Sequence, residues 1–437
     1  MKPVPAEKAA SVPAGQASRA AIEAVWRIEA ARVIAGLARL SGDLAGAEDV
    51  AQDALIAALE QWPTHGIPPN PGGWLMTTAK NRLIDQIRRH RTMQRKLPHL
   101  HHERELAAQA AEDRDAGIDE QIGDELLGLI FTACHPALPV ESRVALTLRC
   151  LGGLTTEQIA RAFLIAEPTA AQRIVRAKKI LREKEVAFEL PTPEQIRQRL
   201  PGVLQVLYLI FNEGYAASSG PRWLAPALCE EAVRLARVLA GLLPEVAEVQ
   251  ALLALLELQA ARIPARTNTE GDTVLILDQD RRLWDPLLIG RGLDAMHRAE
   301  RLAAAGSPVG PYMLQAGIAA CHARAARAQD TDWKTILGLY GVLRTVWTNP
   351  VVELNRSVAV AMVHGPEAAL AEIDRLAGDP RLRGYCYLPA VRAHVLEAAG
   401  RHDAARESWL EAAKLTRNER ERALYEKHAA ERSTPCR

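Results

Sequence analysis

Residues 154–183 carry the sequence pattern that most narrows what this chain can fold into. The hydroxyl of Thr155 can cap a helix while Gln158, three residues later, reaches back to the amide of the cap. A short break follows at residues 164–167, and Pro168 stands where a proline in the first helical turn costs no hydrogen bond. The segment therefore predicts a helix-turn-helix.

The second helix of this pair is predicted to have one apolar row and one polar row. Helical spacing places the apolar side chains on one side, namely Ala170, Ile174, Ala177 and Leu181. The side chains that point away, and that we predict to bind DNA, are Thr169, Gln172, Arg173, Arg176 and Lys179. This outward row suits the base edges and phosphates of a major groove. A solvated basic helix face is the alternative.

A second basic helix is predicted within residues 70–96. Asn70 can cap it and Pro71 can take its first position. Seven basic residues against one acid give residues 80–96 a local charge of +6, which favours salt-sensitive binding of phosphates. The polar face of this helix and its flanks comprise Lys80, Asn81, Arg82, Asp85, Arg88 and Arg89.

The helix predicted just before it, over residues 47–62, is amphipathic and acidic. Its apolar side matches the spacing of a helix packed on a core, and ends at Trp62. The opposite side carries Glu48, Asp49, Gln52, Asp53 and Glu60. Such a face is either solvated or docks on another protein, and the neighbouring basic helix makes docking a plausible interpretation.

Composition favours helices throughout. The chain has 437 residues with 48% hydrophobic content, enough for more than one core, and length alone indicates two or three domains. Aromatic residues make up only 4% while alanine and leucine are abundant, so we predict an all-α protein. The formal net charge is +1, so affinity for nucleic acid must come from local patches.

Several classes of site and location are not expected. The six cysteines are scattered without a C-x-x-C pair, which favours reduced core thiols. His99, His101 and His102 lack further ligands for a tetrahedral metal site, and we predict neither metal nor cofactor. No signal peptide or long apolar run is evident, so we expect a cytoplasmic protein that does not contact a membrane.

The carboxy-terminal half reads as a series of helices. Eleven amphipathic stretches between Pro193 and Glu431, separated by Gly and Pro, predict a TPR-like α-solenoid. Gly365 and Gly400 open the same turn-plus-helix pattern 35 residues apart, close to the repeat of about 34 residues in tetratricopeptide proteins. The concave surface of a solenoid would suit a peptide or a partner helix. A plain helical bundle remains the alternative.

Residues 266–286 interrupt this helical series. A short β-like run is predicted at residues 273–277, followed by the acids Asp278, Asp280 and Asp285. Such a cluster can bind a hard cation or serve acid chemistry, although Arg281 and Arg282 stand among these acids and can neutralise them.

Three of these segments together resemble the extracytoplasmic-function (ECF) group of sigma-70-type factors. AEDVAQDAL resembles region 2.2, which docks on the clamp helices of core RNA polymerase. NPGGWLMTTAKNRLIDQIRR resembles regions 2.3 and 2.4, and TTEQIARAFLIAEPTAAQRIVRAKKIL resembles region 4.2. Residues 212–220 and 266–286 resemble the carboxy-terminal extension of one subgroup of these factors.

The resemblance implies a role for each segment. The acidic face, with Glu48, Asp49, Gln52, Asp53 and Glu60, would bind the polymerase. The loop 63–71 and the basic face, with Lys80, Asn81, Arg82, Asp85, Arg88 and Arg89, would capture the melted minus-ten strand. The row Thr169, Gln172, Arg173, Arg176 and Lys179 would read the minus-thirty-five duplex.

The predicted organisation has five parts. Residues 1–18 are expected to be disordered, 19–91 to form region 2, 92–123 a flexible linker, 124–187 region 4, and 188–437 the helical extension. We predict a sigma factor, not an enzyme, with a fused regulatory domain. The alternatives are a helix-turn-helix operator-binding regulator with a repeat sensor domain, and a hydrolase built near Asp280, which lacks a paired nucleophile and base.

Overall fold

The described part of the chain is helical. A computed structural model describes residues 14–94, 118–163, 165–215, 225–268 and 273–431. Within these ranges the backbone forms 18 α-helices and four short 3₁₀ helices, with no β-strand. This confirms the all-α prediction, which rested on the scarcity of aromatic residues and the abundance of good helix formers.

The first seven helices are α1 Ala14–Ser41, α2 Leu44–His65, α3 Pro71–Gln94, α4 Ile118–Ala133, α5 Val140–Cys150, α6 Thr156–Ala162 and α7 Glu167–Glu183. Helix α1 begins inside the segment 1–18 that was expected to be disordered, in an alanine-rich stretch that favours helix. Helices α3 and α4 extend into both ends of the predicted linker. Residues 95–117, with His99, His101 and His102, lie outside the described residues.

Helix starts follow the capping signals in the sequence. The amide of Thr155 donates to Gln158 Oε1 at 2.9 Å, and the amide of Gln158 donates to Thr155 Oγ1 at 3.1 Å. This reciprocal pair is the predicted capping box of α6. Asn70 Oδ1 accepts from the amide of Gly73 at 2.9 Å, and Asp43 caps α2 in the same manner.

Helix α2 is longer than the sequence indicated. It continues through Pro63 to His65, where the apolar pattern had ended at Trp62. Gly66 ends the helix because its φ of 81° is readily adopted by glycine, and its amide bonds to the Trp62 carbonyl at 2.9 Å. The connection to α3 is therefore residues 66–70 rather than the predicted loop 63–71.

The chain divides into two compact units, one of residues 1–161 and 165–206 and the other of residues 162–164 and 207–437. In the first unit α1 packs on α2, α3 and α4, while α5 packs on α7 and α2 contacts α7. The segments 19–91 and 124–187, predicted as separate domains, therefore share one unit.

The remaining helices are α8 Pro193–Tyr215, α9 Pro226–Leu242, α10 Ala247–Ala260, α11 Pro286–Ala304, α12 Pro311–Arg324, α13 Trp333–Val346, α14 Pro350–His364, α15 Pro366–Leu376, α16 Tyr387–Ala398, α17 His402–Leu415 and α18 Glu419–Glu431. From α9 onward most helices pack on their neighbours in chain order, while α12 packs more on α10 than on α11. Gly365 and Gly400 both have positive φ and both precede a helix, so the predicted turn-plus-helix recurs. This packing is compatible with stacked helix pairs, and the solenoid stays a prediction.

The segment between α10 and α11 differs from its prediction. The β-like run at residues 273–277 forms no strand, because the chain turns at residues 276–278 and only Thr273 pairs, in an isolated bridge with Thr267. Asp285 caps α11, and Asp280 accepts from the backbone and side chain of Arg282. These two carboxylates therefore serve as caps.

Two properties of the whole chain were also addressed by the sequence. None of the helices in the described ranges is long and apolar enough to cross a membrane. The described cysteines are free thiols, four of them buried, and burial raises the pKa of Cys134 to about 11 and of Cys229 to about 12. These two therefore remain protonated core thiols, as predicted, while Cys436 lies outside the described residues.

Candidate nucleic-acid and polymerase interfaces

Helix α7 presents the predicted polar row to solvent. Its buried side chains are Ala170, Ile174, Ala177 and Leu181, which matches the predicted apolar row. Thr169, Gln172, Arg176 and Lys179 are exposed, and Arg173 is half-buried. Within the described part of the chain, neither Arg173 nor Arg176 forms an ion pair. Both guanidinium groups can therefore bind an external anion or a base edge.

The turn into α6 fixes where this helix pair sits. Gly153 has a φ of 62°, and a Cβ at this position would lie 3.3 Å from the Cα of Arg27 in α1. Glycine is therefore required both by the backbone conformation and by the close approach of α1. Pro168 lies in the first turn of α7, where its missing amide leaves no helical bond unmade.

Helix α3 carries the second predicted DNA surface. Asn81, Asp85 and Arg88 are exposed, while Lys80 and Arg82 are half-buried. Arg82 Nη1 lies 3.8 Å from Asp53 Oδ2 on α2, a weak contact that leaves the cation accessible. Arg89 belongs to α3, but its side chain lies outside the described set.

Two tryptophans lie below the connection between α2 and α3. Trp62 is buried and meets Trp74 edge to face, with ring centroids 5.3 Å apart. This arrangement is typical of core aromatic pairs. Trp62 is therefore a core residue in this structure, and Trp74 is half-buried against it.

The residues predicted for the acidic face of α2 differ in their exposure. Asp49 and Glu60 are exposed, and Gln52 and Asp53 are half-buried. Glu48 is only 1% exposed, although the sequence placed it with the others on the outer face. The helical period explains this difference, because Glu48 follows Ala47 and lies beside the buried row.

Glu48 and Asp49 are held by cations from α5 and α7. Arg149 Nε donates to Glu48 Oε1 at 2.7 Å, and Lys178 Nζ donates to the other oxygen of Glu48. Lys178 Nζ also donates to Asp49 Oδ1 at 2.6 Å, and Arg182 Nη2 reaches Asp49 Oδ2 at 3.3 Å. The two halves of the first unit are thus joined by charge pairs.

Lys178 keeps its charge in this site. Burial alone would lower the pKa of its ammonium group, but Glu48 and Asp49 outweigh burial and raise the pKa above its usual value. The side chain of Lys178 is 13% exposed, so solvent screens this contact less than a surface pair.

Sequence reasoning did not single out Arg149, Lys178 or Arg182 as partners of α2. Lys178 and Arg182 are four residues apart, on a row of α7 separate from that of Arg176. The sequence therefore did contain a signal for this contact, namely a second basic row on α7 and an acidic row on α2. Periodicity alone cannot say which of the two rows meets another helix.

Comparisons with known proteins match this arrangement in segments. Residues 27–92 match Sigma-70 region 2, and residues 129–181 match Sigma-70, region 4. The ECF RNA polymerase sigma factor SigL of Mycobacterium tuberculosis is 28% identical over 174 residues, which cover 39% of this chain and 91% of SigL. The chain belongs to the ECF group of the sigma-70 family.

This ECF sigma factor also has relatives along its extension. Residues 199–300 match a Family of unknown function (DUF6596). Uncharacterized protein R00370 of Rhizobium meliloti (strain 1021) is 40% identical over 397 residues, covering 90% of this chain and 91% of that protein. The similarity to R00370 therefore includes most of the extension. No solved structure matches this chain.

The region 2 match contains α2 and almost all of α3, and the region 4 match contains the end of α4, all of α5 and α6 and most of α7. Every predicted site residue of this sigma factor lies within one of the two matches. The α2–α7 ion pairs therefore join region 2 to region 4.

Proposed function

We propose that this sigma factor binds core RNA polymerase through α2, captures the melted minus-ten strand with α3 and reads the minus-thirty-five duplex with α7. The fused carboxy-terminal half would regulate this activity. The observation that carries the proposal is the exposed row of α7, on which Arg173 and Arg176 form no ion pair within the described residues. The protein would act by binding, without catalysing a reaction.

Recognition of the upstream element would use the amino-terminal half of α7. Gln172, Arg173 and Arg176 lie on one face, and arginine or glutamine in a major groove pairs with base edges at two points. Thr169 and Lys179 at either end of the row suit phosphate contacts, which fix the register of a protein on DNA.

Capture of the minus-ten strand would use α3 and the connection 66–70. Opening a promoter takes a base out of the stack and leaves a single strand that cations must hold. Lys80, Arg82 and Arg88 of α3 supply these cations, and exposed Asn81 supplies an amide that can read a base edge.

The polymerase surface would be the outer stripe of α2. Asp53 and Glu60 flank Ile56, which is 50% exposed. A partly exposed apolar side chain between polar groups is typical of a protein-binding patch with a polar rim. Asp49 and Gln52 extend the stripe toward the start of the helix.

In this conformation α7 competes for part of that stripe. Lys178 and Arg182 hold Asp49, and Lys178 and Arg149 hold Glu48. Polymerase would have to replace these pairs to use the whole stripe. The apparent affinity is then reduced by the fraction of molecules in which α7 is released.

The packing of the carboxy-terminal half supports a regulatory role. Most of its helices contact their chain neighbours, as in repeat proteins, whose concave surfaces bind peptides or partner helices. A protein or peptide bound there would recruit or block a partner of the transcribing complex.

The direct test is association with sigma-free core polymerase. The wild-type chain is expected to form a stable complex by size-exclusion chromatography, and the double variant Asp53→Lys, Glu60→Lys is expected to bind at least tenfold more weakly. Charge reversal places lysines on the rim of the patch. Like charges that face each other across an interface cost on the order of several kcal/mol of binding free energy.

The matched control is Glu157→Lys, Glu194→Lys, because these exposed acids lie on α6 and α8, away from the stripe. This control is expected to bind the polymerase as the wild type does. Specific DNA binding by the wild type without any association with core polymerase would instead identify an operator-binding regulator.

A further inference from the structure

A cluster of buried polar atoms lies in the extension, outside the regions used above. Six of these side-chain atoms lack a hydrogen-bond partner among the described residues, namely Tyr215 Oη, Thr273 Oγ1, Arg281 Nε, Trp284 Nε1, His322 Nδ1 and Trp333 Nε1. Thr273, Trp284 and His322 are each less than 9% exposed. Buried donors without partners are costly in a native protein and call for an explanation.

Three arginines surround the same place. The guanidinium carbons of Arg262 and Arg281 lie 5.4 and 4.9 Å from the ring centroid of Trp284. The guanidinium of Arg266 lies 3.6 Å from the ring of Tyr215. The cluster therefore combines cations with aromatic walls, and we call it the Arg–Trp cluster: Tyr215, Arg262, Arg266, Thr273, Arg281, Trp284, His322 and Trp333.

No carboxylate pairs with Arg262 or Arg281 in the described part of the chain. The Nε of Arg262 contacts only the Gln279 side-chain oxygen, at 3.4 Å. Arg281 Nη1 donates to the carbonyls of His322 and Ala325 at 2.5 and 2.6 Å. These acceptors are neutral, and Asp330 acts on Arg281 electrostatically without forming an ion pair with it.

The cations also act on one another and on His322. Burial lowers the pKa of Arg262, and the charges of Arg266 and Arg281 add to this effect against an opposing effect of Tyr215. Burial, Arg262 and Arg281 together lower the pKa of His322 to about 3. The site therefore repels further positive charge and keeps the imidazole neutral.

We propose that the Arg–Trp cluster binds the phosphate group of a small ligand. A phosphate carries up to two negative charges and several acceptor oxygens, whereas a carboxylate carries one charge and two oxygens. Three guanidinium groups match the phosphate better, since neither Arg262 nor Arg281 forms an ion pair with a carboxylate among the described residues. The unpartnered hydroxyl and ring nitrogens would donate to it or to its ester oxygen.

The aromatic walls indicate more than a bare ion. Trp284 and Tyr215 offer ring surfaces beside the cations, so the remainder of the ligand would be apolar or planar. Most of the cluster lies in the segment that matches the family of unknown function. A phosphorylated ligand there would give the extension a chemical input, independent of whether regions 2 and 4 act at a promoter.

The test uses the full chain and inorganic phosphate as the probe. Isothermal titration calorimetry at constant ionic strength, set with chloride, is expected to show saturable binding. The variant Arg262→Gln is expected to weaken that binding at least tenfold, because it removes the cation with the fewest structural contacts. Arg282→Gln is the matched control, since this exposed arginine pairs with Asp280 two residues away, and it is expected to bind as the wild type does.

Two further measurements separate the possible outcomes. The variant Arg176→Gln tests whether phosphate binds to α7 instead of the Arg–Trp cluster. It is expected to bind phosphate as the wild type does. Circular dichroism shows whether Arg262→Gln folds. If it does not, the imidazole NMR signals of His322 are followed in the wild type during a phosphate titration. These signals are expected to shift with the dissociation constant found by calorimetry. No saturable binding by the wild type, equal binding by Arg262→Gln, or unshifted His322 signals would overturn the proposal.

Discussion

At the residue scale, Arg176 and Lys178 are two positions apart on α7 yet have opposite environments. Arg176 is exposed and forms no ion pair within the described ranges. Lys178 is largely buried between Glu48 and Asp49. The helical turn separates them, since positions two apart on an α-helix do not face the same way. Lys178 is used within the protein, whereas we propose that Arg176 binds DNA.

Replacing Arg176 with alanine is expected to weaken binding to the upstream promoter element. Loss of a two-point base contact costs about 1–3 kcal/mol, or roughly 5- to 150-fold in affinity. The preference for the cognate base should relax as well, because phosphate contacts carry no sequence information. Fluorescence anisotropy with cognate and single-base-substituted duplexes measures both effects.

Arg197→Ala is the control, because Arg197 is also exposed but lies on α8, outside the helix-turn-helix, where it pairs with Glu194. Its affinity and base preference should match those of the wild type. An Arg176→Ala protein that binds both duplexes as the wild type does would show that Arg176 does not enter the groove.

The sequence predicted most of the site residues in their correct environment, but not Glu48. Capping and spacing placed Thr169, Gln172 and Arg176 outward because each side of a helix repeats every three to four residues. Glu48 lies at the edge between the two sides of α2, and a carboxylate there can be buried if cations meet it. Those cations, Arg149 and Lys178, come from 101 and 130 residues away, a distance that local patterns do not report.

At the element scale, α2 has two competing partners. Its outer stripe is the proposed polymerase surface, while its start is held by α7 through Lys178 and Arg182. Release of α7 would free Asp49 from Lys178 and Arg182 and would remove Lys178 from Glu48. Polymerase binding and the α2–α7 contact should therefore oppose each other.

The double variant Lys178→Ala, Arg182→Ala is expected to bind core polymerase about 3- to 10-fold more tightly. It removes three of the four ion pairs that Glu48 and Asp49 form with α5 and α7, leaving the pair of Arg149 with Glu48. The exposed Arg182–Asp49 pair contributes roughly 0.2–1 kcal/mol, and loss of Lys178 removes one of the two cations that hold the buried Glu48. Both losses raise the fraction of molecules with α7 released. Titration of labelled core polymerase measures the change.

The matched control also removes two positive charges, one at another position on α7 and one just after the end of that helix. Lys179→Ala, Lys184→Ala removes two exposed cations that do not contact α2, and its affinity for polymerase should equal that of the wild type. Equal or weaker polymerase binding by the Lys178, Arg182 variant would mean that the α2–α7 contact does not oppose docking.

Helix starts were easier to predict than helix ends or isolated strands. Thr155 and Asn70 mark starts because a side-chain oxygen must satisfy free amides. The end of α2 was misjudged because Pro63 is tolerated in the last turn and the stop is set by Gly66. The run at residues 273–277 has β-branched and aliphatic residues but no partner strand, and a strand needs one to form.

At the scale of the whole molecule, a formal net charge of +1 conceals complementary faces. Region 2 supplies Glu48 and Asp49, helix α7 supplies Lys178 and Arg182, and these opposite charges pair within one compact unit. Composition indicated the helical class and more than one core. It could not indicate this pairing, because an overall charge does not say where opposite charges meet.

The carboxy-terminal extension was also only partly predictable from the sequence. Its helices and the repeated turns at Gly365 and Gly400 were predicted from periodicity and spacing. The Arg–Trp cluster was not, because its members come from α8, α12, α13 and the segment between α10 and α11. Arg281 was interpreted as neutralising nearby acids, whereas it donates to carbonyls of α12 and the residues after it.

The central claim is that this one chain directs polymerase to a two-part promoter. The most direct measurement maps the 5′ ends of transcripts made by sigma-free core polymerase and the purified protein from genomic DNA of the source organism. We expect a small set of starts, each lost when either the minus-ten or the minus-thirty-five element is replaced. No protein-dependent starts, or starts that do not depend on either element, would contradict the account.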